Sequence, residues 1–419
     1  MPYYGDNIMR AGLILMMGLP LAACAADGGS ARAPLRETRG DTTIVTWSGP
    51  GAWGDSVSLT EELRIGELEG SDDYTFGAIS GVESDGTLTY VVDRIAKNIR
   101  VFDEQGRLVR TIGRDGGGPG ELRNPSGIGL LPDGRIAVRD YGNRRYNVYS
   151  PSGDALASWP IPGGYSTSAS FIIDTAGRLY NPMSVAKPGE DWKSGFEVFD
   201  SSGAVLDTIT PPTRGLKSST LIAERTTGGA TSRAVYGIPF TPQEVWALSP
   251  RGYFVGGYTG AYAVESLFPD GKVLRVVRTL DPVAVGDDER AAAEANTLRG
   301  LRDTDPDYKW NGPPVPSTKP FFGTIIVDDD GRFWVRTPQP SHEVPVPEDE
   351  LEGAPGGAPR TRWAEPSVYD VFAAEGEYLG AVPLPDRFEP YVMRGDRIWG
   401  VIRDELDVPF VARYRIVHN

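Results

Sequence analysis

Two chemistries are almost absent from this chain of 419 residues: it has one cysteine, Cys24, and two histidines, His342 and His418. A lone cysteine excludes an intrachain disulfide, and the body of the protein carries no thiol chemistry. His342 falls in a proline-rich stretch and His418 next to the C-terminus, so neither a histidine zinc site nor a histidine-dependent triad is expected. Positive charge is in deficit as well, with 42 Lys and Arg against 57 Asp and Glu and a formal net charge of -15. That balance argues against a nucleic-acid partner, which requires a basic surface to neutralise phosphates. Helical segments are scarce too; a single stretch reads as one.

What is abundant is punctuation. Gly 52 and Pro 35 interrupt apolar runs at short intervals, while 40% of the residues are hydrophobic. A chain of this length and composition can bury a large core, and its punctuation favours many short strands joined by turns. The one helical stretch, "DDERAAAEANTLRGLRD" from Asp287, begins on acidic residues and spaces Ala291, Ala295 and Leu298 as one face of a short amphipathic helix.

At the N-terminus, "MRAGLILMMGLPLAAC" (Met9 to Cys24) combines a basic residue, an apolar run too short to span a bilayer, and small residues before a cysteine. Residues 1–24 therefore read as an export signal. Leu21, Ala22, Ala23 and Cys24 resemble the lipobox of bacterial lipoproteins. The resemblance implies that the Cys24 thiol is acylated by diacylglycerol and that the chain is cut just before it. The protein is then exported and held to a membrane through its lipid, on the periplasmic face or the cell surface. Residues 1–8 carry Asp6 and no basic residue, so translation is expected to start at Met9. Residues 25–43, small, polar and proline-containing, suit a flexible tether.

Residues 44–419 repeat. With turn glycines in register, "DGTLTYVVDRIAKNIRVFDEQG" from Asp85 matches "DGRIAVRDYGNRRYNVYSPSG" from Asp133 almost position for position. Weaker copies begin at Ala176, Arg251 and Asp330, the last resuming at Ser367, and a sixth from Gly395 ends the chain. Each unit reads as strand, Gly turn, strand, connection, strand, Gly turn, strand, with period-two alternation in "TYVVD" and "IRVFD". Four antiparallel strands repeated six times predict an all-β, six-bladed β-propeller. The sixth unit stops after three strands, so a strand within "SLTEELRIGEL" (Ser58 to Leu68) is expected to complete it. Closure leaves few exposed sheet edges, as suits a monomer.

Insertions depart from the repeat near 182–194, 211–240, 281–319 and 338–366, the last extended and acidic around Pro345, Pro347, Glu348, Asp349 and Glu350. Antiparallel strands alternate in direction, so the first and third turns of a unit lie on one face, and second turns and crossovers on the other. All four insertions then share a face, where they are expected to wall a cleft over the mouth of the channel.

The stretch "GPGELRNPSGIGLLPDGRIAVRDYGNRRYNVYSPSG" resembles the NHL-type repeat, in which a Gly-Pro-Gly-acidic run leads through a proline into a strand, an Asp-Gly turn, a Val-x-Asp strand end and an Asn-Arg pair. Asp140, Asn143 and Arg144 match that pattern, and Asp93, Asn98 and Arg100 match it more loosely; the likeness covers the first two units. It implies that Gly116 to Pro125 is a blade-to-blade crossover. A phosphate-binding loop is the competing reading, because Gly113 and Gly118 have Walker A spacing, but Pro119 stands where the lysine must be and no helix follows. Similar six-bladed proteins are often bacterial lipoproteins of unassigned activity. The amidating lyases that share such repeats rely on histidine ligands, which this chain lacks in number.

Candidate site residues are few. Glu83, Asp174 and Asp328 each lie two residues before a blade's first turn, and carboxylates pooled from several blades can hold Ca²⁺, as in lactonase-like propellers. Strand-end hydrogen bonding is the plainer role, since Leu131 and Ser249 take the same position in other units. Trp334 and Trp399 fall in alternating second strands and are expected to pack between blades, whereas Trp192, Trp310 and Trp363 lie in insertions and are the candidate contacts for a partner or ligand. The expected function is a lipid-anchored binding or scaffold protein acting through the inserted face, with no cofactor. The alternative is a Ca²⁺-dependent hydrolase or lactonase. Two or three acyl chains hold a protein firmly where one does not. Cys24→Ser should therefore give a soluble product or an uncleaved precursor on membrane fractionation, and a lipid-free soluble wild type would overturn the anchor.

Overall fold

The computed structural model describes residues 34–54, 57–162, 170–186, 193–216, 219–346 and 360–418. Six sheets of four antiparallel strands form the blades of a propeller. Blade 1 runs through Ile79–Ser84, Thr89–Asp93, Asn98–Phe102 and Leu108–Ile112, and blade 2 through Pro125–Leu130, Ile136–Asp140, Arg145–Tyr149 and Ala155–Pro160. Blade 3 has a short inner strand, Ile172–Ile173, then Leu179–Ser184, Ser194–Phe199 and Val205–Ile209. Blade 4 comprises Glu244–Leu248, Phe254–Tyr258, Ala263–Leu267 and Val273–Arg278. Ile325–Val327, Phe333–Thr337, Val368–Phe372 and Tyr378–Pro383 make blade 5.

The sixth blade has only Phe388–Arg394, Arg397–Arg403 and Pro409–His418 from the C-terminal end of the chain. Three N-terminal strands are labelled β1 (Leu35–Arg39), β2 (Thr42–Trp47) and β3 (Val57–Ile65). β3 supplies the missing strand, pairing antiparallel with the C-terminal one from Val57 opposite His418 to Ile65 opposite Val411. Upstream, β1 and β2 form a hairpin whose second strand adds parallel to Val273–Arg278, extending blade 4 to six strands. Between them, Ala52 and Trp53 donate backbone hydrogen bonds to the carbonyls of Tyr378 and Leu379 on blade 5. Gly51 makes that approach possible, because a Cβ there would fall 2.3 Å from the Leu379 carbonyl oxygen. Residues 35–43, expected to be part of a flexible tether, instead belong to the β1–β2 hairpin. The N-terminal segment is a belt across the rims of blades 4, 5 and 6.

Alternating side chains give each blade two apolar faces, one for each neighbour. Val255, Val264 and Val276 of blade 4 meet Phe333, Val335 and Phe372 of blade 5. Trp334 and Trp399 are buried in second strands, as their alternation predicts. The seam between blades 3 and 4 is the thinnest, its buried residues being Tyr180, Val198 and Leu248.

Side-chain carboxylates pin the crossovers. Asp93, fully buried, accepts hydrogen bonds from the N–H groups of Gly77, Ala78, Ile95 and Ala96 and pairs with Arg100. In blade 2, Asp140 accepts from the N–H groups of Arg123 and Asn124, and Asn143 donates to Asp140 and to the Gly116 carbonyl. Within the crossover, Gly118 N–H donates to the Glu121 carboxylate, and Gly120 sits at φ 71° with no room for a Cβ beside Ala155. The loop that resembles a phosphate cradle is filled by its own side chains. Asp140 and Asn143 act in turn structure, and Arg144, at φ 52°, turns the chain into the third strand.

The insertions are ordered where described. The crossover 211–240 holds a hairpin, Thr220–Thr227 with Ala230–Gly237. Helix α1 (Asp287–Arg302) lies in the next crossover, with acidic residues in its first turn and Arg299 and Arg302 in its last, complementing its dipole. Its buried residues are Glu289, Thr297 and Leu301, while Ala291 and Ala295 are exposed, so the expected apolar face is rotated. Tertiary pairing of Glu289 decides that rotation. The second-turn insertion of blade 5 forms a hairpin, His342–Pro345 with Thr361–Ala364; Pro347, Glu348, Asp349 and Glu350 lie outside the described residues.

Closure also has an electrostatic lock. Glu62 of β3 pairs with Arg397, Arg413 and Arg415 at 2.8, 3.1 and 2.9 Å. Burial pushes its carboxyl up, but Arg397 and the other two arginines together hold it below the usual range. Its stabilisation is complete above the normal carboxylate pKa and is lost as pH falls through the depressed one. Glu62→Gln should lower unfolding stability by about 1.5–3 kcal/mol at neutral pH, the loss of a charge-assisted hydrogen bond, with the difference vanishing in acid. Urea denaturation at two pH values measures it.

Candidate functional site

The inner strands of all six blades enclose a central cavity of about 1200 Å³. Its wall is mixed: Ile79, Ile128, Ile173 and Ile325 alternate with Ser80, Ser126, Thr324 and a few charged groups. Arg139 lines it with its guanidinium over the rings of Tyr141 and Phe171 and its Nε donating to the Ser126 carbonyl.

Only part of the expected carboxylate set reaches this channel. Glu83 stands in the wall at the end where the first turns lie, accepting from the Ser84 N–H at 2.8 Å. Arg394 and Asp329, paired at 2.7 Å, lie near it. Asp328 borders the cavity, but its carboxylate is taken by the Arg332 N–H and Nε at 2.9 and 2.8 Å. Asp174 is turned into its own turn, bound by the N–H groups of Ala176 and Arg178, the Arg178 guanidinium and the Tyr180 hydroxyl. Asp174 and Asp328 thus take the plainer strand-end role weighed against a pooled calcium site. Short turns leave N–H groups without partners, and the nearest carboxylate satisfies them. Among the described residues no group of three His, Cys, Asp or Glu is placed to hold a metal ion.

The tryptophans divide. Trp192 lies outside the described residues. Trp310 is folded into a small apolar core, and its Nε1 donates to the carbonyls of Gly312 and Pro313 at 3.1 and 2.9 Å. Part of its surface stays exposed. Trp363, half-buried, stands opposite Glu343 in the blade 5 hairpin.

The insertions combine into one cap. Leu221, Ala223 and Ile238 of the first crossover pack with Leu301 of α1 and with Tyr308 and Val315 beyond it. At the base of this cap Lys319, 2% exposed, donates to the Gln339 carbonyl, Ser341 Oγ and Glu365 Oε2 at 2.8, 2.6 and 2.6 Å. Glu289 of α1 lies 3.6 Å from the same ammonium, and the Phe240 ring is also close. One lysine therefore ties together three insertions. No local pattern marks it in the sequence, because its partners are 30, 20, 22 and 46 residues away.

Among the described residues the inserted segments do not all gather over the channel. Of the inserted segments, Pro182, Met183, Ser194 and Pro211 line the channel, while the later insertions border a second cavity of about 360 Å³ at the joint of blades 4 and 5. Arg278, Asp370, Lys319 and Phe321 line it. Sequence reasoning missed all four.

Burial pushes the Glu83 carboxyl up to about 7, with Asp329 adding to the rise and the Ser84 N–H and Arg394 opposing it. Unfolded, it titrates near 4.5, so the folded chain binds more protons between those values and loses stability as pH rises through them. Glu83→Gln removes that loss. Its thermal midpoint should exceed that of the wild type by a few degrees at about pH 8 and coincide with it below about pH 4.5; a pH-independent difference would refute the assignment.

Residues 43–249 match the model of a family, DUF5128, described as a 6-bladed beta-propeller. Among solved structures, a member of the DUF4221 family from Bacteroides vulgatus is 13% identical, covering 87% of this chain and 99% of that one at a TM-score of 0.51. A protein provisionally described as exported, from Bacteroides fragilis, is 12% identical, covering 89% and 99% at a TM-score of 0.47. Virginiamycin B lyase from Staphylococcus aureus is 10% identical, covering 86% and 100% at 0.41. No curated protein matches the sequence. Likeness at these identities speaks of fold and not of activity. Blade count, closing strand and family match agree: the chain is an all-β six-bladed propeller, similar over residues 43–249 to the DUF5128 family.

Proposed function

We propose that this propeller is an exported protein, anchored through lipid on Cys24, that binds a partner or ligand through its inserted face and acts as a receptor or scaffold, not a catalyst. The observation that carries the reading is the cap. A propeller closes without it, yet three separate insertions are ordered around one buried lysine. Ordering that much chain costs roughly 1–2 kcal/mol per residue in backbone entropy, and the opposite face keeps only short Gly turns. Long loops held by a rigid scaffold are where binding functions concentrate. No helix among the described residues is long and apolar enough to cross a membrane. Nothing in the placement of Glu83, Asp174 and Asp328 favours the calcium-dependent hydrolase.

A photo-crosslinking residue at Arg225, exposed on the first crossover hairpin, should yield a discrete adduct in intact cells of the host. The same residue at Asp270, exposed on a third turn, should not. Adducts from Asp270 alone would place recognition on the Gly-turn face and defeat the reading.

A further inference from the structure

The cavity between blades 4 and 5 has a floor of unusual polarity. Arg278, its side chain 15% exposed, pairs through Nη1 with Asp370 and lies 4.0 Å from the centre of the Tyr378 ring. Asp370 is saturated, accepting also from the hydroxyls of Tyr262 and Tyr378 at 2.7 and 3.0 Å. Hydrogen bonding to Asp370 runs through Nη1, and the Tyr378 hydroxyl also interacts with the guanidinium; Nε and Nη2, which form its other edge, make no further side-chain hydrogen bond among the described residues. That edge is a ready two-pronged donor for a planar anion.

The surrounding charges narrow the choice. Lys319, the other cation on the wall, is already matched by Glu289 and Glu365. Asp370 stands beside the guanidinium and Asp281 also borders the cavity. A single negative charge on a two-oxygen fork fits; a phosphate dianion would meet both carboxylates. The rest of the wall is largely apolar, with Leu280, Val283, Phe321 and Val368 beside the polar Thr337 and Gln339 around a space of about 360 Å³, the size of a small-molecule pocket.

We propose that this cavity binds a small organic carboxylate, its oxygens on Nε and Nη2 of Arg278 and its hydrocarbon body against Phe321 and Val283. The proposal rests on the reading of the inserted face as the binding face and names a ligand class for it.

Calorimetry on the purified full chain in detergent, with hexanoate and phenylacetate as probes and inorganic phosphate as the control, tests it. Saturable one-to-one binding of the carboxylates is expected, with none of phosphate. Arg278→Lys keeps a charge for Asp370 but removes the fork, and should weaken binding by roughly tenfold or more, the loss of one charge-assisted hydrogen bond. Phe321→Ala, which leaves the ion pair intact, should weaken the carboxylates as well, and serves alone if the Arg278 variant does not fold. Absence of carboxylate binding, equal binding of phosphate, or unchanged affinity in both variants would overturn the proposal. Crosslinks from Arg225 persisting alongside such a result would sink the ligand class and leave the binding face standing, whereas their absence would sink the face itself.

Discussion

The pairing of β3 with the C-terminal strand is the contact on which the ring depends. Six twisted sheets can surround an axis only if the last is hydrogen-bonded to the chain that begins the first; otherwise blades 1 and 6 present open edges. Here the contact joins residues such as Glu61 and Tyr414, 353 positions apart. Nothing local can stabilise so distant a contact, so it forms only when the intervening blades already hold their places. The arginines around Glu62 and the belt that ties blade 4 to blade 5 on the way to blade 6 reinforce it.

Within the closed ring the seams are unequal, and the inequality falls where the insertions begin. Blades 4 and 5 share a broad aromatic and aliphatic core, but among the described residues blades 3 and 4 bury only Tyr180, Val198 and Leu248 between them, with Phe196 and Phe254 partly buried beside these. Polar links take over at that seam. Arg214 reaches Glu265, and the Thr175 N–H donates to the Pro250 carbonyl. The channel extends into the same seam between Phe196 and Trp246, beside Pro211. A seam with little apolar burial is where a ring yields most readily, and the cap rises from the crossover beside it.

The chemistry of the inserted face follows from how buried charge is managed. Lys319 and Arg278 both lie where water is scarce, and isolated charges there would be costly. Lys319 is fully matched and holds the cap to blade 5. Arg278 is matched on one edge only, between Asp370 and the face of Tyr378. The contrast separates a structural cation from one that retains donors, although both line one cavity.

Blade count, strand order, the closing strand and the burial of Trp334 and Trp399 were legible in the chain, because period-two alternation and turn glycines are local signals that recur from unit to unit. Tertiary structure alone decided the rest. The apolar stripe of α1 was misread because Glu289 is buried by a lysine 30 residues away. Trp310 packs, half-buried, against a core assembled from two crossovers, a setting its position in an insertion does not reveal. Asp174 and Asp328 are held by their own turns, whereas Glu83 stands in the channel wall, a difference no local pattern marks. Lys319 and Arg278 carry no motif; they acquire meaning only when blades and insertions far apart in the chain are folded onto the same seam, where burial turns an ordinary charge into a constraint.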